Sequence, residues 1–255
     1  MHIDGAGSGR PLVLGHRGAS ADAPENTLVA FRTALEQGAD GVELDVWRCG
    51  TGEVVVHHDR DVRRTAGADL RISTTTLSRL RRLDVGGWKG DGFRGERMPT
   101  LREVLDALPE AFIDVELKSS GFPDLALPGA VVRELRDARA QDRCVVSSFD
   151  DVLLAMVRLL APEIACGLLF ADEGHWRVRE RVGTALLRPR AVHPQATLVT
   201  ADRVRAWSER GLDVNVWTVD EAGEIARLAS LGVSAIITNR PAVARQALAR
   251  DLGRR

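Results

Sequence analysis

The chain has no apolar run long enough to span a bilayer, and its start, Met1 to Arg10, is short, polar and glycine-rich rather than apolar. A membrane span and a secretory signal are therefore not expected, and a cytoplasmic protein is. Cysteine is scarce as well. Cys49, Cys144 and Cys166 lie far apart with no CxxC spacing, which argues against a zinc site or a disulfide framework and suits a reducing compartment. Neither sign of charge is in excess, the formal net charge being −1. No nucleic-acid partner and no stable membrane insertion are expected, and any phosphate recognition must be local. Tyrosine is absent, and the only lysines are Lys89 and Lys118 in a chain whose basic side chains are otherwise arginine.

What is present is ordinary for a globular protein, 44% hydrophobic and 28% charged. The length suits one α/β domain over residues 1–255. Short runs of valine, isoleucine and leucine alternate with helical patterns, the signature of a parallel sheet with crossover helices. The predicted strands are Leu12–Gly15, Gly41–Trp47, Val54–His57, Ala111–Leu117, Cys144–Ser147, Ala165–Phe170, Ala191–His193, Val214–Thr218 and Ala235–Thr238. Between them, Leu28, Phe31, Ala34 and Leu35 form one helical stripe ending at Gly38, Thr100 and Glu103 form a capping box, and Pro241 opens the last helix. The expected fold is a (β/α)8 TIM barrel.

The ninth strand is one too many for such a barrel. Too few residues separate Val46 from Val54 for a parallel crossover, so those two strands must form a hairpin turning at Gly50-Thr51-Gly52. A turn centred near Thr51 and Gly52 sets His58 opposite Asp45, to within a residue. Asp59 to Pro99 has weaker barrel character and reads as an insertion over the C-terminal mouth, either a lid or substrate wall or a solvated excursion.

Glu43 and Asp45 are two apart on a strand and share a face, with Val42, Leu44 and Val46 on the other. Glu116 sits in the same way in Asp114-Val115-Glu116-Leu117-Lys118. Three inward carboxylates repel unless a proton or cation joins them, and they suit one hard divalent ion, Mg²⁺ or Ca²⁺. Each alone would more often be an ion-paired or surface carboxylate; the shared periodicity favours metal. Lys118 faces the same way and offers a point charge for phosphate. Gly15-His16-Arg17-Gly18 ends the first strand, where barrel enzymes project catalytic groups, so His16 is a proton carrier and Arg17 a phosphate contact. His16 and His58 on one rim would supply the base and the acid of an in-line displacement. His57 alternates away and reads as structural, while His2 and His175 have no motif around them.

In order, Gly15-His16-Arg17-Gly18, Pro24-Glu25-Asn26-Thr27, Gly38 to Val46, Val56-His57-His58-Asp59, Pro99-Thr100-Leu101, Glu116-Leu117-Lys118, Ser147-Ser148-Phe149-Asp150, Val216 to Asp220 and Ile237 to Pro241 resemble the glycerophosphodiester phosphodiesterase family. The resemblance covers the chain from about Leu12 to Pro241 and departs from the family at the hairpin turn, Cys49 to Glu53. It implies a barrel of the phospholipase-C-like phosphodiesterase type. It also implies a small-molecule glycerophosphodiester substrate cut to sn-glycerol 3-phosphate and an alcohol, a metal on Glu43, Asp45 and Glu116, and acid–base work by His16 and His58. It adds Asn26 near the glycerol or phosphate, and Trp217 as a pocket wall, although Trp217 could equally be barrel core. A lysophospholipase D-like enzyme, with an apolar groove near Trp88 and Phe93, and a non-catalytic phosphate-binding barrel are the alternatives.

Overall fold

Strands form where the short apolar runs lie. In a computed structural model, which describes residues 10–252, they are β1 (Leu12–His16), β2 (Gly41–Arg48), β3 (Val54–Val56), β4 (Phe112–Leu117), β5 (Cys144–Ser148), β6 (Ala165–Phe170), β7 (Ala191–Pro194), β8 (Asp213–Val216) and β9 (Ala235–Thr238). The helices are α1 (Leu28–Glu36), α2 (Arg63–Ala66), α3 (Leu77–Leu80), α4 (Leu101–Ala107), α5 (Leu127–Asp137), α6 (Asp151–Leu160), α7 (Trp176–Leu187), α8 (Ala201–Glu209), α9 (Ala222–Ser230) and α10 (Pro241–Leu252). His2 and the rest of the polar start before Arg10 lie outside the described residues.

Eight strands pair side by side in the order β1-β9-β8-β7-β6-β5-β4-β2, and β1 also pairs with β2, so the sheet closes on itself. All these pairings are parallel. The result is a TIM barrel. Helix starts follow the sequence signals: Thr27 caps α1 by accepting from the Ala30 amide, and Thr100 and Glu103 close a capping box on α4. The outer strand faces bury Val42, Leu44, Val46, Val115 and Leu117 in one apolar cluster with the helices.

The ninth strand, β3, is antiparallel to β2 and stays outside the ring, as the short connection requires. Its register is one residue away from the centre of the expectation. Val46 pairs with Val56, and the His57 amide donates to the Asp45 carbonyl at 2.9 Å, so His57 rather than His58 lies across from Asp45. The chain leaves the ladder after Val56. His58 is consequently aimed by the loop and not by strand alternation, while His57 is buried with its ring against the Asp61 carbonyl.

Residues 59–99 carry α2 and α3 and a small apolar cluster of their own. Val62, Ile72, Leu80, Val85 and Met98 pack on Cys49 and Val55 of the hairpin. This burial is what keeps the segment from being a solvated excursion.

The barrel interior is not a simple apolar stack. Asp114, Ser147, His193 and Asn215 all point inward and are buried. Ser147 Oγ donates to Asp114 at 2.7 Å, His193 Nδ1 lies 3.2 Å from the same carboxylate, and the Asn215 amide meets His193 Nε2 at 3.0 Å. Room for the imidazole comes from Gly167, where a Cβ would stand 2.4 Å from His193 Nε2. A polar plug thus fills the ring directly below its C-terminal mouth.

Candidate active site

Parallel register alone gathers the first charged groups. His16 pairs with Glu43, Glu43 with Asp114, and Asp45 with Glu116, so neighbouring strands set these side chains one ladder spacing apart, about 4.8 Å. One oxygen from each of Glu43, Asp45 and Glu116 lies within 4.8 Å of the others. Ligands of one Mg²⁺ or Ca²⁺ ion, each at about 2.0–2.6 Å, can be up to about 5 Å apart. The donor set therefore fits a single hard cation.

Electrostatics support the same fit. Burial, then Asp45, Glu116 and Asp114, push the Glu43 carboxyl well above the usual carboxylate range. Burial pushes Glu116 up to about 7 against the pull of Lys118. Asp45 behaves oppositely: burial works against its charge, but Lys118, Arg17 and His58 hold it well below the usual range. Lys118 Nζ is 2.8 Å from Glu116 and 3.3 Å from Asp45, and Arg17 Nε is 3.3 Å from Asp45. Burial and mutual repulsion therefore favour the protonated forms of Glu43 and Glu116, in the place a divalent cation would take.

The β1 end is shaped by a tight turn. Gly18 has φ +85°, and a Cβ there would stand 2.5 Å from the Ala30 carbonyl carbon. Arg17 itself takes φ +56°, a costly conformation for an arginine. It is fixed by its amide, which donates to Glu43 at 3.0 Å, and by its carbonyl, which accepts from the Asn26 amide at 3.0 Å. The Asn26 side chain donates to Asp45 at 2.8 Å and accepts from the Asp45 amide at 3.3 Å. Asn26 is 1% exposed and stands behind Asp45, whereas the resemblance pointed to glycerol or phosphate contact.

His16 and His58 are held differently. His16 Nδ1 is 2.7 Å from Asn239 Oδ1, and the Asn239 amide group donates to Asp220 at 2.7 Å. That orientation makes Asn239 the acceptor, so Nδ1 carries the proton and Nε2 keeps its lone pair, 3.9 Å from Glu43. Burial, helped by Arg17, lowers His16 to about 4. His58 Nδ1 lies 2.7 Å from the Asp59 carboxylate. Burial lowers this imidazole too, opposed by Asp45 and by the Asp59 hydrogen bond. From Asp59 the ion pairs run on through Arg64 to Glu25, Arg17 and Asp45, a band around the mouth.

His16, Arg17, Glu43, His58, Glu116, Lys118 and Trp217 line one cavity of about 70 Å³ at the C-terminal ends of the strands. Trp217 walls it edge-to-face with Phe149 at 5.6 Å while its indole N–H donates to the His193 carbonyl. A larger depression of about 490 Å³ opens among the strand starts at Phe112, Cys144 and Ala165, the other end of the barrel, and gathers none of these residues. Sequence reasoning did not single out Glu25, Asp59, Asp220 and Asn239, although each stands in a motif that carried the resemblance. Arg64 had no signal at all.

A closed parallel barrel whose charged groups converge at the strand C-termini belongs with the TIM-barrel enzymes. A sequence profile of the glycerophosphoryl diester phosphodiesterase family matches residues 16–243. A glycerophosphodiester phosphodiesterase of Caldanaerobacter subterraneus subsp. tengcongensis is 32% identical, over 91% of this chain and 95% of the relative. A solved phosphodiesterase of Oleispira antarctica, in complex with the product sn-glycerol-3-phosphate, superposes with a TM-score of 0.86 at 31% identity, covering 96% of this chain and 99% of that one. A glycerophosphodiester phosphodiesterase of Thermotoga maritima gives a TM-score of 0.73 at 30% identity, over 92% and 97%. The chain belongs to the glycerophosphoryl diester phosphodiesterase family.

Proposed function

We propose that the protein hydrolyses glycerophosphodiesters to sn-glycerol 3-phosphate and an alcohol, with one divalent cation, Mg²⁺ or Ca²⁺, on Glu43, Asp45 and Glu116. The observation that carries this reading is the convergence of two imidazoles, two cationic side chains and the carboxylates Glu43 and Glu116 on one cavity, with Asp45 ion-paired beside them. When bound, such a cation supplies neutralisation of the phosphate charge and activation of an oxygen nucleophile.

The chain's own groups do the rest. Arg17 and Lys118 bring positive charge to the phosphoryl oxygens. His16, neutral with a lone pair at Nε2, removes the proton of the attacking oxygen, whether of water or of a glycerol hydroxyl. His58, whose Nδ1 is backed by Asp59, gives its Nε2 proton to the leaving oxygen. Asn26 and Asn239 hold Asp45 and His16 in place, and Trp217 walls the site. The lysolipid alternative expects an apolar groove at Trp88 and Phe93. Neither ring lines the mouth cavity, and Trp88 is flanked by the cations of Arg64 at 5.7 Å and Lys89 at 5.8 Å. A reducing compartment is the proposed setting, supported by three cysteines that are buried and free. Among the described residues no helix is long and apolar enough to cross a membrane.

A coupled assay for glycerol 3-phosphate tests the proposal. His16→Ala and His58→Ala should each lower kcat by about 10²-fold or more, and chelation should abolish turnover reversibly. Full turnover after dialysis into excess chelator would contradict the cation assignment.

A further inference from the structure

The mouth cavity opens on two sides. Through His16 and Arg17 it leads to a hollow of about 380 Å³ with Ser20, Glu25, Asp220 and Asn239. The polar groups there already answer one another: Asn239 serves His16, Ser20 and Asp220, and Glu25 serves Arg17 and Arg64. Through Lys118 it leads to a second cavity, of about 280 Å³, which Trp47, Arg60, Arg71, Ser73, Ser119 and Phe122 line.

This second cavity has unanswered donors. Arg48 in its wall is neutralised by Asp124 through bonds of 2.8 and 3.2 Å. Arg60, by contrast, meets Asp61 only at 3.9 Å. The Arg71 guanidinium and the Ser73 and Ser119 hydroxyls have no protein partner among the described residues. Hydroxyl donors and uncompensated guanidinium forks in a hollow of this size are the equipment for a polyol that carries negative charge. The cavity also adjoins the His58 side of the mouth, because Arg60 follows His58 by two residues and Trp47 Nε1 donates to the His58 carbonyl at 3.1 Å.

We propose that this cavity receives the leaving alcohol and selects polyhydroxylated, negatively charged alcohols, such as a phosphorylated inositol, against the quaternary ammonium of choline. The inference rests on the glycerophosphodiester reading. As the P–O bond to that alcohol breaks, its electron pair stays on the alcohol oxygen, which takes the His58 proton. The attacking oxygen forms the new P–O bond and leaves its proton on His16. Arg60 and Arg71 then act as selectivity residues, attracting an anionic alcohol and repelling a cationic one.

The test compares kcat/KM for the glycerophosphodiesters of inositol 4-phosphate, inositol and choline, read as glycerol 3-phosphate release. Wild-type enzyme should prefer the inositol phosphate diester to the choline diester by about tenfold or more, with inositol between, and the preference should shrink as ionic strength rises. Arg60→Ser/Arg71→Ser should bring the ratio towards one. Arg32→Ser/Arg133→Ser, which removes equal charge from exposed helix positions away from the mouth, should leave the ratio as in wild type. A wild-type preference for choline, held by the Trp47 and Phe122 rings, overturns the inference, as does a ratio indifferent to salt and to Arg60→Ser/Arg71→Ser. Absence of glycerol 3-phosphate from all three diesters refutes the hydrolase reading and this inference with it; release without the predicted order refutes the inference alone.

Discussion

The two imidazoles of the mouth differ in what stands behind them, and the roles proposed for them rest on that difference. An asparagine oxygen behind His16 fixes a tautomer without adding charge, while the Asp59 carboxylate behind His58 stabilises an imidazolium. Asp59→Asn removes the charge and keeps the shape. Because Asp59 raises the His58 pKa, its loss lowers that pKa, and an acid that deprotonates earlier loses activity earlier. The alkaline limb of the kcat profile should therefore move to lower pH, with kcat reduced by about tenfold or more. An unmoved limb would assign that limb to another group. Most of these side chains were legible from strand alternation and motif order. Asn26 shows the limit. Its sequence position marks it as part of the site, but only the turn that brings its amide back to Asp45 shows that it serves the carboxylate from behind.

At the scale of elements, the strands were legible because parallel barrel strands are continuous apolar runs between turn residues, and the hairpin because its connection is too short for anything else. The hairpin register was less so. Ladder geometry propagates only while the ladder lasts, and β3 ends at Val56, before either histidine. The polar plug inside the ring was not legible at all, since His193 and Asn215 sit singly in short strands with no motif to announce a partner. The turn after β1 supplies the element-scale prediction. Gly18→Ala meets both a left-handed φ and the Ala30 backbone at 2.5 Å, and should cost more than about 2 kcal/mol. Gly52, at φ +102° with nothing within 4 Å, should tolerate alanine at about 1 kcal/mol. Urea denaturation of both variants measures the difference; equal costs would mean that the close packing under the turn contributes nothing.

For the whole molecule, the carboxyl cluster links stability to pH and, with the proposed cation, to metal. A carboxyl raised in the folded state contributes stability that is complete below its unfolded pKa and lost as pH rises through the folded one. For Glu116 that window runs from the ordinary glutamate value of 4.5 to about 7, and Glu43 shifts in the same direction. Metal-free protein should thus lose this contribution on going from pH 5.5 to pH 8. On the proposed reading saturating Mg²⁺ or Ca²⁺ would replace the missing protons, so the rise in Tm on adding it should be several degrees larger at pH 8 than at pH 5.5. Differential scanning calorimetry at the two pH values decides the matter, and equal increments would argue against a cation among these carboxylates.

The band of ion pairs has a consequence for engineering and for divergence. Arg64 belongs to the 59–99 segment, yet it clasps Glu25, which belongs to the loop after β1 and in turn clasps Arg17. The segment is therefore no interchangeable accessory. A chimera that borrowed this stretch from a relative would inherit a working mouth only if the graft brought an arginine to the same spot; otherwise Glu25 would be left to draw Arg17 away from its post beside Asp45.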